Sequence, residues 1–136
     1  GRTILVAMDG ATRLPIASEP GLTDLFSGEA SFGDTIHRDP LSRLHVLGPG
    51  ASERSDASAL WATLDALQGA YDFVVLSASR RVGVDETIAI SHLATHAAVI
   101  GNDTYATREL AAALEQGGLP TPTILGAEDL AEKSAA

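Results

Sequence analysis

Asp9 follows directly on an apolar run, with Gly10 after it and Arg13 close behind. A carboxylate in that position has the chemistry to hold a metal ion or accept a phosphoryl group, and Asp-Gly is also a common turn pair. A second cluster, Ser77-Ala78-Ser79-Arg80-Arg81, follows another apolar run that Tyr71-Asp72 precedes. Its hydroxyls have no His and acid nearby in sequence and no Gly-x-Ser-x-Gly around them, so a serine hydrolase has no motif here. The paired arginines suit an anion or an acidic partner, or line a solvated edge. Gly48-Pro49-Gly50 reads as a tight bend, and Gly101-Asn102-Asp103-Thr104 as polar caps opening a helix. His92 and His96 have the i, i+4 spacing with which two imidazoles reach one zinc. No third ligand is evident and the helix is expected to end near His96, so no metal site is assigned. His37 and His45 stand alone.

The elements that must carry these residues are short and alternate. Residues 3–8, 44–47, 73–76, 97–100 and 121–125 are apolar runs that read as strands. The first four are continuous rather than alternating, as a parallel sheet covered on both faces requires. Pro122 places the last at an edge. Between them, residues 57–68 set Leu60, Leu64 and Leu67 on one helical face, with Asp56 as N-cap and Gly69 as stop. A helix over 105–116 has Ala106, Leu110, Ala113 and Leu114 as its apolar side and ends at Gly117-Gly118. A third helix is expected over 84–93, and short ones over 22–26 and 32–36. Strands alternating with helices imply an α/β fold: an open, mainly parallel sheet of about five strands with helices on both faces, Rossmann-like in its layers. Ligands of such sheets bind beyond the carboxyl ends of the strands, which is where Asp9 and the Ser77 cluster fall. Residues 1–126 are read as one domain and 127–136 as a tail.

Composition narrows the functions. The 136 residues carry nine Lys and Arg against eighteen Asp and Glu, a net charge of −9. That field repels phosphate backbones and anionic lipid, so nucleic acid is excluded as an expected partner. Nothing approaches the ~18 to 20 consecutive apolar residues of a membrane span, so no direct membrane insertion of this chain is expected. Without cysteine there is no disulfide and no thiolate chemistry. Eight of the nine basic residues are Arg. The single lysine, Lys133, follows Glu132 rather than a glycine-rich run, so these residues contain no Gly-Lys-Ser/Thr phosphate loop.

Three segments together carry a family resemblance. Glu19-Pro20-Gly21-Leu22-Thr23-Asp24-Leu25-Phe26-Ser27-Gly28-Glu29, then Arg43-Leu44-His45-Val46-Leu47-Gly48-Pro49-Gly50, then Tyr71-Asp72-Phe73-Val74-Val75-Leu76 follow one another in the chain. In that order they resemble the cytoplasmic domain of bacterial exopolysaccharide chain-length and transport proteins. Relatives of that family are the bacterial tyrosine kinases and, more distantly, the MinD and ParA ATPases. The resemblance implies a P-loop NTPase-like fold in which the first strand and phosphate loop precede the residues seen here. It also implies a cytoplasmic location at the inner membrane, as part of a membrane-anchored protein, with neighbouring subunits of its own polysaccharide export complex as partners.

The departures from the family pattern fall on its chemistry. Where a strand ending in Asp-x-Asp is implied, Ala7-Met8-Asp9 keeps only the second acid, so Asp9 is a vestigial Walker A-prime residue. Ser77 holds the Walker B aspartate position, and Ser79-Arg80 stands where paired prolines are implied. The only tyrosines are Tyr71 and Tyr105, so the C-terminal tyrosine cluster of the family kinases is missing. These differences lead to the expectation of a degenerate domain that is not an enzyme, with no catalytic or metal residues, and with ATP and Mg²⁺ only if a phosphate loop lies upstream. Arg80, Arg81 and Asp85 are then the candidate interaction loop, near Asp9 at one sheet edge. The alternatives are a fragment of an active ATP-dependent tyrosine kinase and a receiver-like phosphoacceptor. The receiver lacks an aspartate at Leu76-Ser77 and a lysine at Leu125-Gly126.

The 57–68 helix supplies a direct test. Leu64→Ala is expected to cost roughly 2 to 5 kcal/mol in chemical denaturation, through the cavity it leaves against the sheet. A loss under about 0.5 kcal/mol, the scale of surface positions, would put the buried face elsewhere.

Overall fold

Thr3–Ala7 form β1, a run of aliphatic and β-branched residues in which Ile4, Val6 and Ala7 are fully buried. Apolar side chains on both faces of the pleat make it a strand covered from two sides. The computed structural model describes residues 1–9, 14, 19–51, 56–79, 84–101 and 105–126, and the chain divides into two compact units, Gly1–Glu86 and Thr87–Ala136. In the first unit, β1 lies between two parallel neighbours, β3 (His45–Leu47) and β4 (Phe73–Ser77), and β2 (Ile36–Arg38) adds antiparallel to β3, giving the order β2-β3-β1-β4.

The β1–β4 register has a constant offset, from Thr3 opposite Phe73 to Ala7 opposite Ser77. It is anchored where it begins: Asp72 Oδ2 accepts from the Arg2 backbone N–H at 2.6 Å, and the Asp72 and Phe73 amides donate to the Arg2 carbonyl. Register also sorts the faces, because paired residues in neighbouring strands point to the same side. Ile4, His45 and Val74 share one face with Val6, Leu47 and Leu76. Helix α3 (Ala57–Ala70) covers it, since the hydroxyl of Tyr71, at the helix C-cap, shares a 2.7 Å hydrogen bond with His45 Nδ1. Arg2 places its guanidinium over the same Tyr71 ring. His45, isolated in sequence, is thus tied to the end of α3.

Helix α3 follows the sequence reading at its start. Asp56 accepts from the Ala59 amide at 3.0 Å, and Leu60, Thr63, Leu64 and Leu67 form the buried stripe. It runs through Gly69 rather than stopping there, because that glycine keeps a helical conformation and the chain leaves the helix only at extended Tyr71.

The segment carrying the family resemblance forms α1 (Leu22–Ser27), closed by Gly28 in the left-handed conformation. Its N-terminus docks backbone to backbone on the Gly48-Pro49-Gly50 bend: the Leu22 amide donates to the Gly48 carbonyl at 2.8 Å and the Thr23 amide to the Pro49 carbonyl at 3.1 Å. A Cβ on Gly21 would strike the Gly48 carbonyl oxygen and the Gly50 nitrogen. Gly50, at φ +89°, packs against Thr23 and the buried Asp24, whose Oδ2 accepts from the Gly21 amide at 2.7 Å. The bend is therefore a receptor for α1 as well as a turn.

Two expectations are corrected in this unit. Residues 32–36 are helical only over α2 (Phe32–Thr35), capped by Ser31 and Asp34, and Ile36 turns extended to open β2. The strand was hidden because it is only three residues long and begins at the residue that caps the helix. In place of one sheet of about five strands, the described residues form a four-stranded sheet and a two-stranded parallel one.

That pair, β5 (Ala98–Ile100) and β6 (Thr123–Leu125), belongs to the second unit, with α5 (Tyr105–Gln116) packed on both strands. Pro122 precedes β6 rather than breaking it. Helix α4 (Val84–Leu93) crosses the division between the units. The buried side of α5 is turned from the expected one: Thr107 and Ala111 are buried and the expected Ala106 and Leu114 half-buried, while Leu110 and Ala113 are exposed. Small side chains bring the helix close to the strands, as the approach of Thr107 to Gly101 shows, and a helix turned toward them points Leu110 away. After α5, Gly118 takes φ +113° and Gly117 lies against Ser91 of α4.

The contrast between glycines is testable by thermal and chemical denaturation. Gly21→Ala should destabilise by about 1 to 3 kcal/mol, as overpacking against an unyielding backbone does. Gly69→Ala, in a helix with nothing within 4 Å of its added Cβ, should stabilise by about 0.5 to 1 kcal/mol.

Candidate functional site at the carboxyl edge of the sheet

Parallel strands deliver their carboxyl ends to one edge, so whatever follows β1 and β4 meets there. The ladder continues one step past β1 through a bond from the Met8 amide to the Ser77 carbonyl at 2.9 Å. The next pair beyond it is Asp9 and Ser79. Asp9 Oδ2 accepts from the Ser79 backbone N–H at 2.9 Å and from the Ser79 hydroxyl at 2.6 Å. Both residues are half-buried. The same offset of 70 residues that aligns the strands aligns this pair.

Asp9 therefore lies at the strand edge where the sequence placed it, held by a partner that the sequence reading considered as a hydrolase hydroxyl and as a stand-in for proline, and not as a partner of Asp9. The signal was available in the strand alignment, since pairing Thr3 with Phe73 carries Asp9 to Ser79. Ser77 ends β4, opposite Ala7. Arg80 and Arg81 fall outside the described residues. Asp85 stands exposed in the first turn of α4, where its charge complements the positive end of the helix.

The histidines separate. Helix α4 ends at Leu93, so His92 and His96 do not share a helix, and His96 Nδ1 bonds the neighbouring Thr95 hydroxyl. His37 keeps a buried Nε2 with no hydrogen-bond partner. Among the described residues no three His, Cys, Asp or Glu side chains group as a metal site, and no helix is long and apolar enough to cross a membrane.

Solved structures share this architecture. The BceF tyrosine kinase domain superposes with a TM-score of 0.72 at 19% identity, over 92% of this chain and 55% of its own. The fold is that of bacterial tyrosine kinase domains. The VpsO kinase domain matches at a TM-score of 0.67 and 24% identity, over 92% of this chain and 68% of its own. The cell-division ATPase MinD of Pyrococcus furiosus matches at 0.63 and 21%, over 89% of this chain and 56% of its own. No protein-family model and no curated protein matches the sequence.

These likenesses overturn the expectation that the domain is not an enzyme. The structures that share the kinase fold are those of tyrosine kinases and an ATPase. The chain spans just over half the length of the BceF domain. A glycine loop and lysine missing from 136 residues are thus no measure of a whole kinase domain. Ser77 lies at the end of β4 opposite Ala7, and Asp9 is the carboxylate held at this strand edge.

The Asp9 tie is expected to hold the two strand ends together. Asp9→Ala should speed hydrogen exchange at the Met8 and Ser79 amides while leaving the Val6 amide, in the middle of the ladder, protected. Equal exchange at Ser79 in the variant and the parent chain would show that the tie contributes nothing.

Proposed function

We propose that this chain is the part of a tyrosine kinase-like nucleotide-binding domain that presents Asp9 to a magnesium-bound phosphate, within a bacterial exopolysaccharide chain-length or export protein. The observation that carries the reading is Asp9 itself, a carboxylate held by two donors at the carboxyl edge of adjacent parallel strands, in a kinase-type fold. The exopolysaccharide setting is supported by the 19–29 stretch, in which Gly21, Leu22 and Thr23 dock α1 on the Gly48-Pro49-Gly50 bend.

The residues present suit Mg²⁺ in one particular manner. Magnesium is commonly held by one or two carboxylates, with phosphate oxygens and water completing its shell. One carboxylate bonded by the Ser79 amide and hydroxyl matches that mode and does not match a dedicated all-protein cage. When bound, the ion neutralises charge on the phosphoryl oxygens. Asp9 contributes an oriented negative group, and Ser79 with the β1–β4 ladder holds that group at the strand edge. The partners in this reading are neighbouring subunits of the same export complex, and the location is the cytoplasmic face of the inner membrane as part of an anchored protein.

Calorimetry on the full-length protein tests the reading. Mg²⁺-ADP is expected to bind with a micromolar constant, and Asp9→Ala to weaken it roughly tenfold or more, the scale of one charge-assisted contact. Absence of nucleotide binding in the unmodified protein would overturn the kinase-like assignment. Unchanged polymer length and yield in a strain lacking the gene would overturn the exopolysaccharide setting.

A further inference from the structure

We infer that Ser79 is a positioning residue for Asp9: its hydroxyl, acting beside its own backbone N–H on one carboxylate oxygen, sets the direction in which Asp9 meets a magnesium-bound phosphate. The inference rests on the role proposed above for Asp9 and adds a second residue to it.

Both donors of Ser79 converge on Oδ2, the amide at 2.9 Å and the hydroxyl at 2.6 Å. A single bond leaves a carboxylate free to swing about it, whereas two donors approaching from different directions fix its plane. The donors are themselves fixed. Ser79 comes two residues after the end of β4, and the last ladder bond, from the Met8 amide to the Ser77 carbonyl, lies immediately before the pair. The carboxylate is thus oriented by a group whose own place is set by the parallel register, which is the condition for a preorganised site.

The arrangement belongs to this chain in particular. The family resemblance implies proline where Ser79 stands, and proline has neither a backbone N–H nor a hydroxyl to donate. Both bonds to Asp9 depend on the residue being something else. The hydroxyl is the part that distinguishes serine from any other non-proline residue, so its share can be separated from that of the amide.

The experiment uses the full-length protein and two probes, Mg²⁺-ADP by calorimetry and amide hydrogen exchange without nucleotide. Ser79→Ala keeps the amide and loses the hydroxyl; Ser79→Thr keeps both; Asp9→Asn keeps the size of the side chain and loses the charge. Ser79→Ala should weaken Mg²⁺-ADP binding roughly tenfold and leave binding of ADP without magnesium unchanged, and Ser79→Thr should restore the parent affinity. A merely structural role would shift both forms of the nucleotide together, and that result would overturn the inference. Parent-like binding by Ser79→Ala, with binding lost in Asp9→Asn, would overturn it while leaving the Asp9 assignment in place. Parent-like binding by Asp9→Asn would remove that assignment and this inference with it. Hydrogen exchange reads the tie without any nucleotide: Asp9→Ala, which removes the acceptor, should accelerate exchange of the Ser79 amide, and unchanged exchange would overturn the geometry on which the positioning rests.

Discussion

Every feature of the strand edge depends on the parallel register of β1 against β4. A shift by one residue would turn the inward side chains of β4 outward and separate each residue from its partner. The register is tied at both extremities by an aspartate accepting a backbone N–H across the pair, Asp72 from Arg2 at the start and Asp9 from Ser79 at the end. Between these ties the buried Ile4, Val6 and Ala7 supply the apolar contact. The residue that is the candidate for phosphate chemistry is therefore also one of the two that end the ladder. The structural role and the proposed one meet in one carboxylate.

A second constraint operates where α1 meets the bend after β3. Backbone contact at that distance excludes a Cβ on Gly21, and the positive φ of Gly50 disfavours one there as well. Asp24 completes the joint from within α1, buried and bonded to the Gly21 amide. Residues that read as a family signature and residues that read as a plain turn are two halves of one packing contact. This explains why the pattern Gly21-Leu22 and the pattern Gly48-Pro49-Gly50 accompany each other in this chain without invoking any ligand.

The catalytic question turns on which part of a domain is in view. The chain covers 55% of the BceF domain, so the absence of a Gly-Lys-Ser/Thr loop from these residues describes only part of such a domain. What these residues do contain is a carboxylate bonded by the Ser79 amide and hydroxyl, in a fold shared with tyrosine kinases and MinD. Ser77 and Ser79 serve the strand edge in different ways. Ser77 ends β4 opposite Ala7, and Ser79 supplies the amide and hydroxyl that bond Asp9.

The sequence by itself determined the α/β class, the positions of β1, β3 and β4, and the bounds of α4 and α5. These follow from local information: runs of aliphatic residues, an aspartate N-cap at Asp56, and glycines after a helical pattern. It also placed Asp9 at a strand end, because a strand end is a local property. Tertiary structure decided what local patterns do not encode. The three-residue β2 exists because β3 offers it an edge, the buried side of α5 follows the close approach of Thr107 to Gly101, and His45 finds its partner at the far end of α3. The Asp9–Ser79 pair is of this second kind. Seventy residues separate the two in sequence, and only the register of two parallel strands brings a hydroxyl and an amide to the same carboxylate oxygen.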